Sequence, residues 1–177
     1  DALEIVDVSN PTSPVHKGSI TDGTGGAYLN NNSVYVSGNY AYVATGNRNA
    51  LEIVDVTSAI NPLHKSSITS GTGGALLNDA RSVYVSGNHA YVASWASNGL
   101  EIVDITIPAS HVHKGSITDG TGGPKINGPS SVYVGGNNAY IASPGNNGAG
   151  ISALEIVDVS NPASPVHKGI LNNGTGG

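Results

Sequence analysis

Two short motifs recur in step along the chain and constrain its fold more than any other feature. Leu-Glu-Ile-Val-Asp stands at residues 3–7, 51–55, 100–104 and 154–158, and Gly-Thr-Gly-Gly stands at 23–26, 71–74, 120–123 and 174–177. Successive copies of either motif are 48, 49 and 54 residues apart. Because both motifs keep the same spacing, a whole unit of about fifty residues is repeated. A unit of this kind needs neighbours to bury its apolar surface.

Residues 33–70 show how one unit is built. The chain is rich in β-branched residues and carries 25 Gly, a composition that favours strands joined by tight turns. Alternating apolar residues and intervening Gly, Asn and Pro predict four antiparallel strands. The predicted strands are 33–36, 41–44, 51–56 and 64–68.

The sequence predicts an all-β fold, a β-propeller of four-stranded antiparallel blades. Apolar residues point to both faces of each predicted sheet, as a sheet packed between two neighbours requires. A β-solenoid is the alternative, although its coils are usually shorter, about 20–30 residues. We expect a single repeat array over 1–177, with a half blade at 1–26 and blades at about 33–74, 82–123 and 131–177.

Three and a half blades are fewer than a closed propeller needs, which is about four to eight. An open arc would expose apolar faces and strand edges. We therefore expect further copies of the chain, or further sequence of the same chain, to complete a ring, a filament or another assembly. The chain has no Met, so we also expect a processed product or a segment of a longer protein, which leaves room for a targeting signal or anchor that this sequence does not show.

Charge and composition exclude several classes of partner. The net charge is −5 with only 7 Lys and Arg, so a basic surface for nucleic acid is not expected. No apolar run approaches the ~18 residues of a membrane span. The chain has no Cys, which excludes disulfides and thiolate metal sites.

The repeated strings resemble a known family. Ser-Gly-Asn-x-Ala-Tyr-Val-Ala, carried by 37–44, 86–93 and 135–142, is followed by Leu-Glu-Ile-Val-Asp-Val and Asn-Pro-x-x-Pro-Val. This pattern is similar to the LVIVD repeat of bacterial and archaeal surface or secreted proteins, which is taken to form β-propellers. One copy departs from it at its turn, where 105–108 read Ile-Thr-Ile-Pro. The resemblance implies a scaffold at an extracellular or cell-surface location, with no settled activity and no catalytic residues to transfer.

Several polar residues recur once per unit, and a structural role is predicted for each. His16, His64, His113 and His167 fall on outer strands too far apart to share a metal ion, so neither a metal site nor a cofactor is expected. Assuming a simple hairpin, Glu4, Glu52, Glu101 and Glu155 face Lys17, Lys65, Lys114 and Lys168 as cross-strand ion pairs. Asp7, Asp55, Asp104 and Asp158 are predicted to bond turn amides.

Two further repeated features also favour structure over chemistry. The Gly-Thr-Gly-Gly loop lacks the carboxylates of a calcium site and does not open a helix as a phosphate loop would. The Tyr residues at 35, 42, 84, 91, 133 and 140 repeat at fixed positions, which predicts packing in the core.

Residues that differ between copies are the better candidates for binding. Trp95, Arg48, Tyr40 and Arg81 are predicted binding residues, because loop aromatics and arginines often serve recognition. Asn31 and Asn173 fit the N-glycosylation pattern.

The sequence therefore favours a non-enzymatic extracellular protein with a structural or adhesive role, in contact with further copies and surface glycans. The alternative is a carbohydrate- or peptide-binding module, which requires the variable residues to gather on one face. An enzyme is disfavoured because near-identical units place like groups at distant points, whereas active sites bring unlike groups together. Only Asp1 and Asp79 stand outside the repeat as unique acids.

Overall fold

The computed structural model describes residues 1–30, 32–120, 123, 125–145 and 152–173, and consists of β-strands with two short 3₁₀ turns. The strands are β1 Ala2–Asp7, β2 Val15–Thr21, β3 Asn32–Ser37, β4 Tyr40–Thr45, β5 Ala50–Asp55, β6 Leu63–Thr69, β7 Ala80–Ser86, β8 His89–Ser94, β9 Gly99–Asp104, β10 Val112–Thr118, β11 Ser131–Gly135, β12 Asn138–Ser143, β13 Ala153–Asp158 and β14 Val166–Asn172. The 3₁₀ turns are Thr24–Gly26 and Thr72–Gly74.

The strands form three four-stranded antiparallel sheets and one two-stranded sheet. In chain order these are the half blade β1-β2, blade 1 (β3-β4-β5-β6), blade 2 (β7-β8-β9-β10) and blade 3 (β11-β12-β13-β14). The three and a half blades predicted from the sequence are confirmed. The solenoid alternative is wrong, because each complete repeat forms a four-stranded antiparallel meander of its own.

A glycine turn sets the first hairpin of each blade. Gly38, Gly87 and Gly136 have φ of 57°, 57° and 58°, in the left-handed region that favours glycine. The turn brings the first strand directly beside the second, with Tyr35 opposite Tyr42 and Tyr84 opposite Tyr91. Local sequence therefore fixes the register of this half of the blade.

The sheets pack face to face in chain order. Three clusters of buried aliphatic and aromatic residues lie between them, one at each contact. The cluster between blades 1 and 2, for example, contains Leu51 and Ile53 of blade 1 together with Val83 and Val85 of blade 2. Leu77, which follows the Gly-Thr-Gly-Gly loop between these two blades, is also buried in this cluster. Blade 2, which has a complete blade on either side, therefore buries both of its faces, as its apolar pattern predicts.

Hydrogen bonds also join successive blades. The amides of Val83 and Val132 donate to the hydroxyls of Ser33 and Ser82 of the preceding blade, both at 3.3 Å. At the loop end of the blades, the amide of Asp79 donates to Asn49 Oδ1 at 2.8 Å. These bonds hold each first strand against the first strand of its neighbour.

A bulge interrupts the pairing of the third and fourth strands in every blade. In blade 1, Ile53 faces Ser66 and Val54 faces His64, so Lys65 has no opposite residue. The same shift occurs in the half blade and in blades 2 and 3. An extra residue in one strand changes the direction of the side chains next to it. This change determines which side chains contact each other in the candidate site.

Candidate functional site

A buried glutamate and a histidine meet in each complete blade. Glu52, Glu101 and Glu155 have no solvent-exposed surface. Their carboxylates lie 3.0, 2.6 and 2.9 Å from ring nitrogens of His64, His113 and His167, respectively.

The predicted pairing of these glutamates with lysine is wrong, because the turn and the bulge together shift the fourth strand by two residues. Glu52 lies opposite Ser67, Lys65 has no opposite residue, and His64 lies opposite Val54, on the same face as Glu52. Lys17, Lys114 and Lys168 instead contact the aspartates of their own sheets, as in the 3.1 Å contact of Lys17 with Asp7.

Each Glu–His pair holds the Gly-Thr-Gly-Gly loop that leads into its own blade. Glu101 accepts a hydrogen bond from the amide of Leu76, two residues after the loop, at 2.9 Å. Glu155 likewise accepts one from the amide of Lys125 at 2.6 Å.

The histidine of each pair lies against a glycine of the same loop. Nδ1 of His64 is 2.9 Å from the carbonyl oxygen of Gly25. A methyl group on Gly74 or Gly123 would lie within 4 Å of the His113 or His167 ring. The pair therefore fastens a connecting loop to the blade that follows it.

Burial raises the pKa of two of these glutamates, Glu52 and Glu101. It raises the pKa of Glu52 to about 8; the amide of Tyr28 opposes the shift and the nearby Asp22 adds to it. Burial also raises the pKa of Glu101, opposed by the amide of Leu76 and by His113. A protonated Glu52 can donate to His64 Nε2, which lies 3.0 Å from its carboxyl group, while His64 Nδ1–H donates to the carbonyl oxygen of Gly25.

This shift predicts a pH dependence of stability. The folded pKa of Glu52, about 8, lies above the ordinary glutamate pKa of 4.5. The stabilising contribution is therefore complete below about pH 4.5 and is lost as the pH rises to about 8, by roughly 3–5 kcal/mol. Glu52→Gln, which mimics the neutral acid, is expected to gain stability over the parent chain at pH 8 but not at pH 4.5.

Urea unfolding between pH 4.5 and 8.5 measures this difference. Glu4→Gln, at an exposed copy of the same pair, is the control and is expected to keep the parental slope. Identical slopes for the parent chain and Glu52→Gln would contradict the assignment.

The fourth pair, in the half blade, has the same geometry without a loop to hold. Glu4 and His16 lie 2.8 Å apart, and both side chains are about half exposed. The difference from the three buried pairs lies in the neighbours, because the described residues include no Gly-Thr-Gly-Gly loop before β1.

The predicted role of the aspartates after the third strands is confirmed. Oδ1 of Asp7, Asp55, Asp104 and Asp158 accepts a hydrogen bond from the amide two residues later, at 2.9–3.0 Å. The amide and hydroxyl of Ser9, followed by Lys17, lower the pKa of Asp7 to about 2. These carboxylates shape turns and are not free for chemistry.

Comparison with a family model identifies the family of the repeats. The LVIVD repeat model matches residues 1–22, 30–69, 78–119 and 129–173, most of the chain. The chain belongs to the LVIVD repeat family. No protein of curated function matches the sequence significantly.

Solved structures confirm the propeller fold of this LVIVD chain. A functionally unknown protein from Desulfotomaculum acetoxidans matches with a TM-score of 0.69 and 12% identity, over 90% of this chain and 46% of that one. A protein from Lactobacillus plantarum matches with 0.63 and 14%, over 97% and 52%. A hypothetical selenium-binding protein from Sulfolobus tokodaii matches with 0.61 and 12%, over 89% and 44%. At these identities the likeness shows the fold alone, and the chain spans about half of each structure.

Three of the four predicted binding residues lie at one end of the blades. Arg48 and Trp95 stand in the loops after the second strands, and Arg81 lies near the start of β7. The Arg81 guanidinium lies 4.3 Å from the centre of the Trp95 ring and binds Asp79 at 2.8 Å. The Arg48 guanidinium lies 5.2 Å from the Tyr28 ring.

The fourth predicted binding residue, Tyr40, lies at the opposite end. It begins β4 beside the first hairpin turn and packs against the core between blades 1 and 2. It therefore does not join the loop residues on one surface.

Of the two predicted glycosylation positions, Asn31 lies outside the described residues. Asn173 is exposed. The Gly and Thr that follow it in the glycosylation pattern lie outside the described residues.

The repeated tyrosines divide into two sets. Tyr42 and Tyr91 are buried, which confirms their predicted core role. Tyr35, Tyr84 and Tyr133 form a row across the first strands, with ring centres 4.8 and 4.9 Å apart. Tyr133 is exposed, so the core prediction is wrong for it. It ends the row on the last described blade, where no further blade covers it.

One contact between blades escaped the sequence analysis. Ser66 stands where the other blades have glycine, and its hydroxyl donates to the carbonyl of Pro108 in the next blade. His111 stands where the others have proline, and its Nδ1 lies 3.0 Å from the same hydroxyl. Burial lowers the pKa of His111. Ser66 and His111 both differ from the residues at the same positions of the other repeats. That pair of differences was the sequence signal that could have predicted this contact.

Within the described ranges, no three His, Asp or Glu side chains converge as metal ligands would. A search of the same residues for an apolar helix long enough to cross a bilayer finds none.

Proposed function

We propose that this LVIVD chain is a non-enzymatic, extracellular structural or adhesive scaffold that joins further LVIVD repeats through two uncovered sheet faces. The uncovered faces carry the proposal, because the same positions are covered wherever a neighbouring blade is present. A fold match over about half the length of similar structures agrees with a larger array.

The C-terminal face consists of Tyr133, Leu154 and Leu171 on blade 3. Leu154 is 40% exposed and Leu171 is 58% exposed. The matching leucines and isoleucines of blades 1 and 2 are buried under the next blade: Leu51, Leu100, Ile68 and Ile117. The C-terminal face thus has the residues of a contact between two blades, but no second blade covers it among the described residues.

The N-terminal face consists of Val34 and Val36 on blade 1 together with the free edge of β1. The two valines are 50% and 59% exposed. The matching residues of the later blades are buried: Val83, Val85, Val132 and Val134. In the contacts between blades 1 and 2 and between blades 2 and 3, residues of both kinds lie in one buried cluster, so each open face lacks the neighbour that its counterparts have. A contact between unlike faces gives a ring when it closes and a filament when it does not.

The polar groups support a structural role over catalysis. The buried Glu–His pairs hold loops, and the aspartates after the third strands hold turns. Lysines pair with several of those aspartates. The repeated polar groups thus form contacts within each repeat and between neighbouring repeats.

The observations favour the scaffold over the carbohydrate- or peptide-binding alternative. Arg48, Arg81 and Trp95 do share one end, as that alternative requires. However, Arg81 covers one side of the Trp95 ring and is itself held by Asp79, which leaves less of the ring for a sugar or peptide.

Sedimentation and negative-stain electron microscopy test the scaffold. We expect the chain to assemble with rising concentration above its monomer mass of 17.7 kDa, as rings or filaments. The double variant Leu154→Ser/Leu171→Ser is expected to remain monomeric, because it places hydroxyls on the C-terminal face. A parent chain that stays monomeric at all concentrations would overturn joining between copies.

Leu63→Ser is the matched control. Leu63 is as exposed as Leu171, but its counterparts Val15, Val112 and Val166 are also exposed in every blade, whether or not a neighbour follows. It therefore lies outside the blade contact, and its replacement is expected to leave assembly unchanged.

A further inference from the structure

We propose that the tyrosine row, Tyr35, Tyr84 and Tyr133, is a site of oxidative modification at which a carbon–carbon bond forms between the rings of Tyr84 and Tyr133. The bond joins blade 2 to blade 3 covalently and resists their separation. Both tyrosines belong to one chain, so the proposal does not depend on assembly between copies. The co-reactant is a one-electron oxidant of phenols, such as a peroxidase supplied with hydrogen peroxide.

The rings of the tyrosine row lie in contact from one blade to the next. The ring centres of Tyr35 and Tyr84 are 4.8 Å apart, and those of Tyr84 and Tyr133 are 4.9 Å apart. The second pair meets edge to face, with 65° between the ring planes. Aromatic pairs in contact have ring centres about 4.5–7 Å apart, so both pairs lie at the short end of that range. Tyr84 and Tyr133 are therefore close enough to couple.

The hydroxyl groups of the row lie together, which brings the reactive carbons of the rings together. Burial raises the pKa of Tyr84, and hydrogen bonds with the Tyr35 and Tyr133 hydroxyls raise it further. Phenol radicals couple through the ring carbons on either side of the carbon that carries the hydroxyl. Because the Tyr84 and Tyr133 hydroxyls are hydrogen-bonded, carbons of this kind in the two rings also lie near each other.

A hydrogen bond between blades holds the two tyrosines in place. The amide of Val132, next to Tyr133, donates to the hydroxyl of Ser82, two residues before Tyr84, at 3.3 Å. The first strands of blades 2 and 3 are thus fixed side by side beside the rings. Groups held in this way react with each other far more readily than the same groups on separate molecules. The structure therefore favours a link within the chain over a link between chains.

Exposure selects Tyr133 as the residue at which oxidation begins. Tyr133 is 56% exposed, whereas Tyr42 and Tyr91 are each 4% exposed. Gly135 also leaves room beside the ring: a Cβ atom built there would lie 3.2 Å from Cε1 of Tyr133, one of the two carbons that couple. The first strands of blades 1 and 2 have serine at that position. The exposed end of the row is therefore the most open to an oxidant.

The reaction removes two hydrogen atoms from the chain. Each phenol loses one electron to the oxidant and its hydroxyl proton to water. The two radicals join through their ring carbons, and the hydrogen on each of those carbons leaves as a proton while a proton returns to each phenol oxygen. One hydrogen peroxide takes up the two electrons and the two released protons and becomes two waters. Both rings are phenols again in the product.

Oxidation of the full chain with a peroxidase and hydrogen peroxide tests the cross-link. A denaturing gel separates chains linked internally, which run as monomers, from chains linked to each other. We expect the monomer to gain dityrosine fluorescence and to lose two hydrogen atoms in mass. Trypsin is expected to release peptides 82–114 and 126–168 joined together, and fragmentation to place the bond at Tyr84 and Tyr133. An unmodified monomer, or a bond located only at other tyrosines, would overturn the proposal.

Phenylalanine variants show whether the row directs the reaction. Tyr84→Phe and Tyr133→Phe keep the ring packing but remove the hydroxyl, and each is expected to lower the dityrosine yield of the monomer at least tenfold. Tyr140→Phe is one control, because Tyr140 lies opposite Tyr133 in the same sheet, with ring centres 6.3 Å apart. Tyr28→Phe is the other, at an exposed tyrosine outside the row. Both controls are expected to keep the parental yield; equal yields in all four variants would contradict a role for the row.

Discussion

Gly115→Ala is expected to lower the free energy of unfolding by about 2–4 kcal/mol. A Cβ atom at this position would overlap the carbonyl oxygen of Pro162 and lie 3.0 Å from the carbonyl carbon of Ala163. Both atoms belong to the main chain of the next blade, so no side chain can rotate away. The two blades have to separate, which reduces apolar contact across the interface.

Gly169→Ala is the matched control for this substitution. Gly169 holds the same place in blade 3, after the same His-Lys pair, and nothing lies within 4 Å of a Cβ built there. Its replacement is expected to change stability by less than about 0.5 kcal/mol. Urea unfolding of both variants measures the difference, and equal losses would show that the glycine serves its own strand and not the blade contact.

The fold was predictable because its signals are local and repeated. Alternating β-branched residues and the left-handed turn at Gly38 specify the first hairpin within about ten residues. The repeats then predict how the sheets pack, because a sheet with two apolar faces is covered by the sheets of the neighbouring repeats. The same reasoning predicted the three and a half blades.

The partners of the polar residues were not predictable in the same way. The residue opposite Glu52 is Ser67, two positions beyond Lys65, and the bulge at Lys65 accounts for one of these two positions. A pairing derived from a simple hairpin therefore placed Glu52 opposite lysine, whereas its carboxylate contacts His64 in the structure. Nothing in the alternation of the fourth strand marks the bulge.

The loop residues illustrate a second limit. Strand direction alone places Arg48 and Trp95 at one end of the blades and the start of β4 at the other. Arg81 stacks on Trp95 beside Asp79, a residue other than glycine that has a left-handed backbone, with φ of 51°. Such contacts require the three-dimensional path of a loop that differs from its counterparts.

Glu101→Ala is expected to destabilise the chain by about 3 kcal/mol, because it leaves two polar groups without a partner inside a blade contact. These groups are the amide of Leu76 and Nδ1 of His113, at 2.9 and 2.6 Å from the carboxylate. Hydrogen exchange at Leu76 is expected to accelerate more than exchange in β11, since the lost bond is local. Urea unfolding at pH 7 gives the global effect.

Glu4→Ala removes the same side chain from an exposed pair and is expected to cost less than about 0.5 kcal/mol. The two substitutions are equivalent in sequence, since both glutamates stand second in the repeated Leu-Glu-Ile-Val-Asp. Their surroundings differ: Glu101 is buried beneath a Gly-Thr-Gly-Gly loop in a four-stranded sheet, whereas Glu4 is half exposed in a two-stranded sheet. A similar loss in both variants would mean that the glutamate stabilises its own pair of strands without help from the loop. A loss confined to Glu101 places the stabilising effect of the motif in the buried contact between loop and blade.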